Sequence, residues 1–304
     1  MTMKQILVTG SSGFIGKELF RFLKESQFKL LPLSHQDIAA YQNNNELFPA
    51  KQLSDIAGII NLAGVSISQR WNEKNKALIL ESRLNTTRFL VDSLQRAKDL
   101  QLPIPSVFIN ASGIGYYGIS PAGIQTEESP PGSDFLASVC QQWEQTALQA
   151  ERLGIRTVLC RFGVVLGVSG GALPRMALPF HWGVGGTIGN GNQHLSWIHL
   201  QDLLQILQLA LTSSSLQGAY NLTSPHPISM RQFAASLGKQ LKKPAWTRLP
   251  GTAAKLLLGE MAEAILLADQ QVLPQRLLAE GFQFQFPDLT SALADLYPDS
   301  KTQE

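Results

Sequence analysis

The strand-like run Gln5-Ile6-Leu7-Val8-Thr9 falls directly into Gly10-Ser11-Ser12-Gly13-Phe14-Ile15-Gly16, and a helix-compatible stretch, Lys17 to Lys24, follows at once. Each glycine answers a steric demand. Gly10 lets the chain leave the strand in a tight turn, Gly13 removes the Cβ that would block a pyrophosphate, and Gly16 lets the helix pack closely on the strand. The backbone N–H groups that open the helix then point at the phosphates, where the helix dipole favours negative charge. A glycine-rich turn by itself occurs in many ordinary α/β proteins. Here the strand before it and the amphipathic helix after it supply the context of a dinucleotide site. Gly10, Ser12, Gly13, Phe14, Ile15 and Gly16 are therefore candidate cofactor-binding residues.

The rest of the chain repeats the alternation. Phe28 to Ser34 reads as a second strand, Ile56 to Leu62 as a further one entering the turn Asn61-Leu62-Ala63-Gly64, and Val107 to Ala111 and Thr157 to Cys160 as two more. Helical stretches run from about Asn72 to Lys98, with Leu78, Ile79, Leu84, Leu90, Val91 and Leu94 at mixed three and four spacings, and from Phe135 to Leu153. Strands and helices in this order predict a doubly wound parallel α/β sheet. Gly163 to Gly191 is dense in glycine and reads as a loop-rich crossing between lobes. A helix from Asp202 to Leu211, a last sheet strand from Gly218 to Leu222 and a mostly helical tail from about Pro227 to Leu296 complete the chain. The expected organisation is a cofactor-binding domain over residues 1–225, with 163–195 crossing toward a second lobe, and a smaller C-terminal substrate or lid lobe over 226–304.

With 304 residues, 44% of them hydrophobic and 16% charged, the chain can bury a core of that size. A net charge of +2 without a consecutive basic block argues against a nucleic-acid or membrane surface, and no apolar run is long enough to cross a bilayer. The expected partner is a small molecule, with a homodimer left open as the assembly state. Cys140 and Cys160, without CxxC spacing or a neighbouring His cluster, point to a reduced cytoplasmic protein that holds no structural metal.

The glycine turn, Asn61-Leu62-Ala63-Gly64, Asn85-Thr86-Thr87, Tyr117-Gly118, Arg161 and Trp197-Ile198-His199 with Asp202 together resemble the extended short-chain dehydrogenase/reductases. Arg70-Trp71, Ser82-Arg83, Ala111-Ser112-Gly113 with Tyr116-Tyr117-Gly118, Asp134-Phe135-Leu136 with Trp143-Glu144, the run Gly185 to Gly191 and Gly281-Phe282-Gln283-Phe284 are similar to its atypical, epimerase-like branch within the NAD-dependent epimerase/dehydratase superfamily. The resemblance covers nearly the whole chain. It implies a Rossmann-like fold, an NADP(H)-binding N-terminal domain and a C-terminal lobe closing over the nicotinamide end.

Cofactor choice can also be read from residues. An NAD-preferring site carries an acidic residue at the end of the second strand for the ribose 2′-hydroxyl, and here Ser34-His35 stand there, with Asp37 beyond. A hydroxyl and an imidazole can donate to a 2′-phosphate, which favours NADP(H), although the family more often has an arginine in the place of His35; an exposed loop histidine is the plain alternative. Leu62, Ala63 and Gly64 are expected along the cofactor. Arg83, by spacing alone as well a surface helix cation, is assigned to the pyrophosphate or adenine ribose by the resemblance.

The superfamily's hydride chemistry uses a tyrosine acid, a lysine four residues on and a serine on the reacting oxygen. Here the helix begins Asp134-Phe135-Leu136-Ala137-Ser138-Val139-Cys140, and neither Phe135 with Val139 nor Leu136 with Cys140 recovers the pair. Ser112 and Tyr117 are the candidate catalytic residues, with Tyr116, Glu127 and Glu128 as further donors or acids; packing at a lobe interface is the alternative for either tyrosine. Two functions remain. The first is an NADP(H)-dependent oxidoreductase or nucleotide-sugar-epimerase-like protein of unknown substrate. The second, implied by the branch's link to cell or plastid division, is a catalytically weak NADP(H)-binding regulatory module. Trp143, Trp197 and Phe233 read as core, and His199 as a tie between a strand end and the second lobe.

Overall fold

In the computed structural model, which describes residues 3–298, the alternation becomes a six-stranded sheet in which every pairing is parallel. The strands β1 (Lys4–Thr9), β2 (Phe28–Leu33), β3 (Ile56–Asn61), β4 (Val107–Gly113), β5 (Arg156–Phe162) and β6 (Gly218–Leu222) lie in the order β6-β5-β4-β3-β1-β2. The chain steps outward from β1 to β2 and then returns to the far side of β1. That reversal opens a crevice at the carboxyl ends of β1 and β3, where open α/β sheets take their ligands.

Helices α1 (Phe14–Phe22), α2 (His35–Asn43), α3 (Glu73–Asp99) and α4 (Phe135–Ala147) are the crossovers of the first half. The strands read as continuous apolar runs because both faces are buried. Ile6 and Val8 pack on one face with Leu19 of α1, whereas Leu7 between them packs on the other with Phe89, Leu90 and Leu94 of α3. Helix α3 starts at Asn72, whose side chain accepts from the Asn75 N–H, and ends with Arg96 and Lys98 in its last turn, matching the helix dipole.

The glycine-dense crossing is more ordered than its composition suggests. It contains the strand Val164–Leu166, helix α5 (Leu173–His181) and the strand Gly185–Ile188, which pairs in parallel with Ala245–Leu249. Its glycines mark close approach rather than looseness, since a Cβ on Gly185 would strike the Phe180 ring and one on Gly186 the backbone of Thr247. Leu173, Ala177 and Phe180 form one buried stripe of α5. They pack with Trp197, with Met230, Phe233 and Leu237 of α7 (Met230–Leu241), and with Leu289, Ala292 and Leu293 of α8 (Leu289–Leu296). The second core therefore draws on both the crossing and the tail.

Between these helices runs α6 (Leu200–Thr212), whose Asp202 locks the tail to the sheet domain. Its buried carboxylate accepts the backbone N–H groups of Gln285 at 2.7 Å and Phe286 at 3.0 Å. Replacing Asp202 by alanine strands both donors, and we expect a loss of about 2–4 kcal/mol in urea unfolding with the cofactor crevice left intact.

Candidate functional site

Gly10 adopts φ +69°, a left-handed conformation, and a Cβ there would lie 2.6 Å from the Leu62 carbonyl oxygen. The turns after β1 and β3 thus touch each other. A Cβ on Gly16 would collide with the Gly10 carbonyl, whereas Gly13 meets only that carbonyl, at 3.2 Å. Helix α1 begins at Gly13 with no side chain capping its first N–H groups. Those donors, beside exposed Ser12, face the crevice as an anion site requires. The Phe14 ring turns the other way, into a socket where a Cβ on Gly167 or Gly171 would approach it to 2.6 or 2.9 Å, so its contribution to the crevice is backbone.

A buried polar hub lies at the strand ends. Asn61 accepts from Thr9 Oγ1 at 2.5 Å and donates to Asn110 Oδ1 at 2.7 Å and Thr87 Oγ1 at 2.9 Å; Trp143 Nε1 also donates to Thr87, at 2.9 Å. One amide side chain thereby couples the ends of β1, β3 and β4 to α3 and, through Trp143, to α4. This is the physical content of the Asn61 and Asn85-Thr86-Thr87 motifs.

Arg83, on α3, reaches back to Gly64. Its guanidinium donates to the carbonyls of Val65 at 3.2 Å and Ile79 at 2.8 Å, and it would sit 3.0 Å from a Cβ on Gly64. Among the described residues no carboxylate pairs with it, and burial pulls its pKa below the usual arginine value. A half-buried cation without a carboxylate partner among the described residues, next to a glycine whose Cβ would crowd it, suits a phosphate or ribose ligand. Ser34 is already engaged: it caps α2, donating to Asp37 Oδ2 at 2.6 Å and accepting the Asp37 N–H at 3.1 Å. That hydrogen bonding holds the Asp37 pKa below the usual carboxylate range, so Ser34 has an anion for its neighbour. His35 stands exposed beside it at the start of α2.

Ser112 and Tyr117 belong to a second buried network. Ser112, Arg161 and Asn221 occupy one row across β4, β5 and β6. Ser112 Oγ donates to Glu144 at 2.6 Å, and the Arg161 guanidinium grips that carboxylate bidentately, at 2.9 and 2.8 Å. Arg161 also donates to the Tyr117 hydroxyl at 3.0 Å, which itself donates to Asn221 Oδ1 at 2.7 Å. Burial pushes the Tyr117 hydroxyl up to about 12 despite the arginine beside it. The Tyr116 ring lies over the same guanidinium, its centroid 3.5 Å from Arg161 Cζ. Glu127 is not poised as an acid: its carboxylate accepts the N–H groups of Asn221 at 2.9 Å and Arg276 at 3.3 Å, while Glu128 is exposed.

The face of α4 is now decided. Leu136 lies 3.1 Å, and Cys140 Sγ 3.9 Å, from a Cβ placed on Gly115, so these two residues, four apart, front the end of β4 where the superfamily presents its tyrosine and lysine. Cys140 is an inert thiol, its pKa pushed to about 11 by burial and by Glu144. Phe135 packs instead on Trp71, and Arg70 is exposed. His199 stacks on Phe286 at 3.9 Å and sits 3.3 Å from Asp295, tying the strand end to α8. A cleft of about 760 Å³, lined by Asn190, Gln193, Arg248, Lys255 and Asp269 among others, lies on the side of the segment that follows Tyr117. The Asp269 N–H donates to the Ile119 carbonyl, two residues past Tyr117.

Thr9, Asn110, Glu144 and Asn221 carry these networks without having stood out as site residues. For all but Glu144, which lies on α4, the signal was present: an otherwise largely apolar strand carries a polar residue at or near its carboxyl end, Thr9, Asn61, Asn110, Arg161 or Asn221. 

Fold, crevice and glycine turn define a dinucleotide-type α/β protein. The chain belongs to the NAD dependent epimerase/dehydratase family, whose model matches residues 6–223, and a domain of unknown function, DUF1731, matches residues 249–296. It is 38% identical to the chloroplastic epimerase family protein SDR39U1 homolog of Arabidopsis thaliana, over 95% of this chain and 85% of that protein. It is likewise 38% identical to the epimerase family protein YfhF of Bacillus subtilis, over 98% and 99%. The crystal structure of human epimerase family protein SDR39U1, solved with NADPH, superposes with a TM-score of 0.85 at 32% identity, covering 96% of this chain and 99% of that one.

The Tyr117 shift has a pH consequence. The folded state keeps the phenol protonated above its unfolded pKa near 10, so the stabilisation is complete below pH 10 and is lost as pH rises toward 12. Alkaline denaturation should show a fall of up to about 3 kcal/mol across that window, reduced in Tyr117→Phe.

Proposed function

We propose that this chain binds NADP(H) in the crevice between β1 and β3 and works as an epimerase-type protein without the superfamily's proton relay. The observation that carries the reading is Arg83, a half-buried cation beside Gly64 that pairs with no carboxylate among the described residues, together with the uncapped start of α1. The NADPH held by the human relative supports the same choice of cofactor. Gly10, Ser12, Gly13, Phe14, Ile15 and Gly16 supply backbone to the pyrophosphate; Leu62, Ala63 and Gly64 border the nucleotide; His35 is the free donor for a 2′-phosphate. Bound NADPH would supply hydride to a carbonyl carbon. Proton supply is the weak point, because Tyr117 and Ser112 both spend their hydroxyl hydrogens on buried acceptors. This makes reduction at best slow and fits a protein whose main act is to hold the nucleotide.

The cleft beside Asp269 supports a second reading, a reductase for a small polar molecule. Asn190, Gln193, Arg248 and Lys255 would contact that substrate, and Tyr116, half-buried over Arg161, is the remaining hydroxyl near the end of β4. Both readings suit a reduced cytoplasmic setting, where buried free Cys140 and Cys160 persist as thiols.

Calorimetric titration with NADPH, NADP⁺, NADH and NAD⁺ tests the core claim. NADPH should bind at least tenfold tighter than NADH, Gly13→Glu should abolish binding, and Arg83→Leu should weaken it at least tenfold while melting stays near that of the parent. Failure of every nicotinamide nucleotide to bind folded protein would sink the proposal. Ser112→Ala should leave NADPH affinity within a factor of about 3, since its hydroxyl serves Glu144 rather than the crevice. Substrate-dependent NADPH oxidation that survives Tyr117→Phe and disappears in Tyr116→Phe would favour the reductase.

A further inference from the structure

The net charge of +2 conceals a segregation. Between Glu151 and Glu260 the sequence holds one carboxylate, Asp202, against ten lysines and arginines, which leaves fifteen cations against twenty-two carboxylates elsewhere. Asp202 is itself fully buried and committed to the tail backbone. Arg156 and Arg161 are likewise spent inside the sheet domain. The remaining cations fall largely on the second lobe, on elements that carry no acid: α5, α7 and the paired strands Gly185–Ile188 and Ala245–Leu249.

One ridge of this lobe is also aromatic. Trp182 is 72% exposed and Trp246 73%, and Trp246 Nε1 donates to the Gly183 carbonyl at 3.2 Å, which sets the second indole against the backbone next to the first. Leu178, one turn before Trp182 on α5, and Val184 extend the apolar surface, and exposed Lys239 and Lys243 close α7 beside it. The ridge is firmly backed: a Cβ on Gly238 would contact Ala245 and lie 3.5 Å from the Phe180 ring, and Phe180 and Leu237 are buried in the second core. Single exposed apolar side chains are ordinary, but two largely exposed tryptophans on or next to elements that carry cations and no acid are not.

We propose that the Trp182–Trp246 ridge seats the protein peripherally on an anionic lipid surface. Indole rings favour the water–hydrocarbon boundary, where the apolar body is buried and the N–H stays hydrated, and lysines gather at negatively charged headgroups. A peptide partner would call for a groove, yet neither the cleft beside Asp269 nor the one beside His199 is lined by any ridge residue. Among the described residues no helix is long and apolar enough to cross a membrane, so the contact is superficial.

Full-length protein should be sedimented with phosphatidylcholine vesicles that contain phosphatidylglycerol, and with phosphatidylcholine alone. We expect at least tenfold stronger binding to the anionic vesicles, a blue shift of tryptophan emission on binding, and release as salt rises from about 0.05 to about 0.3 M. Trp182→Ser with Trp246→Ser should lose both binding and blue shift while melting and nucleotide affinity stay unchanged; Lys239→Glu with Lys243→Glu should lose the salt-sensitive part. The proposal is overturned if the protein stays in the supernatant with anionic vesicles, or if the double tryptophan variant binds them as well as the parent. It is overturned equally if light scattering shows a dimer that this variant converts to monomer, which would give the ridge to a second copy.

Discussion

The buried pairing of Arg161 with Glu144 organises the middle of this molecule. Two charges taken from water are tolerable here because the guanidinium meets the carboxylate bidentately and further partners surround the pair: Ser112 on Glu144, Tyr117 on Arg161, Tyr116 against the cation's face. Burial opposes the charge on Arg161, but the carboxylate outweighs it and holds the guanidinium pKa above its usual value. The pair sits where β4, β5 and β6 present one row of side chains, so it joins the sheet to α4. Through Asn221 and Glu127 it also reaches the tail backbone at Leu273 and Arg276.

This arrangement sets the end of β4 apart from the superfamily's tyrosine–lysine pattern. Hydroxyls at the carboxyl edge of β4 are where a reacting oxygen would be met, yet both are oriented by internal acceptors. The α4 face that would supply tyrosine and lysine supplies Leu136 and Cys140. The crevice side is different in kind. Its hub, Asn61, is satisfied by Thr9, Thr87 and Asn110; the same crevice holds the uncapped start of α1 and Arg83, which pairs with no carboxylate among the described residues. One half of the site is electrostatically closed and the other open to an anion.

Much of this was legible in the amino-acid order. Glycine at positions 10, 13 and 16 and apolar runs buried on both faces are local facts, because a left-handed φ or a missing Cβ is demanded within a few residues. The segment from Gly163 to Gly191 misled for the same local reason: glycines that permit close packing of α5, Thr247 and Phe14 have the composition of a loop. The register of α4 could not be chosen from sequence, since Phe135 and Leu136 are both apolar and one step apart; only the approach of Gly113 and Gly115 selects between them. The charge segregation of the second lobe is written in the sequence but vanishes in a whole-chain sum.

By itself, then, the sequence determined a parallel α/β sheet with a glycine turn of the dinucleotide type at the end of its first strand, because those features depend on short-range sterics and on the period of burial. Only the tertiary structure decided what the polar residues do. Ser112 to Glu144 spans 32 residues, Tyr117 to Asn221 spans 104, and Asp202 to Gln285 spans 83. Whether a hydroxyl is a catalyst or a strut depends on which acceptor stands within about 3 Å of it, and at those separations the partner is chosen by the packing of the whole fold.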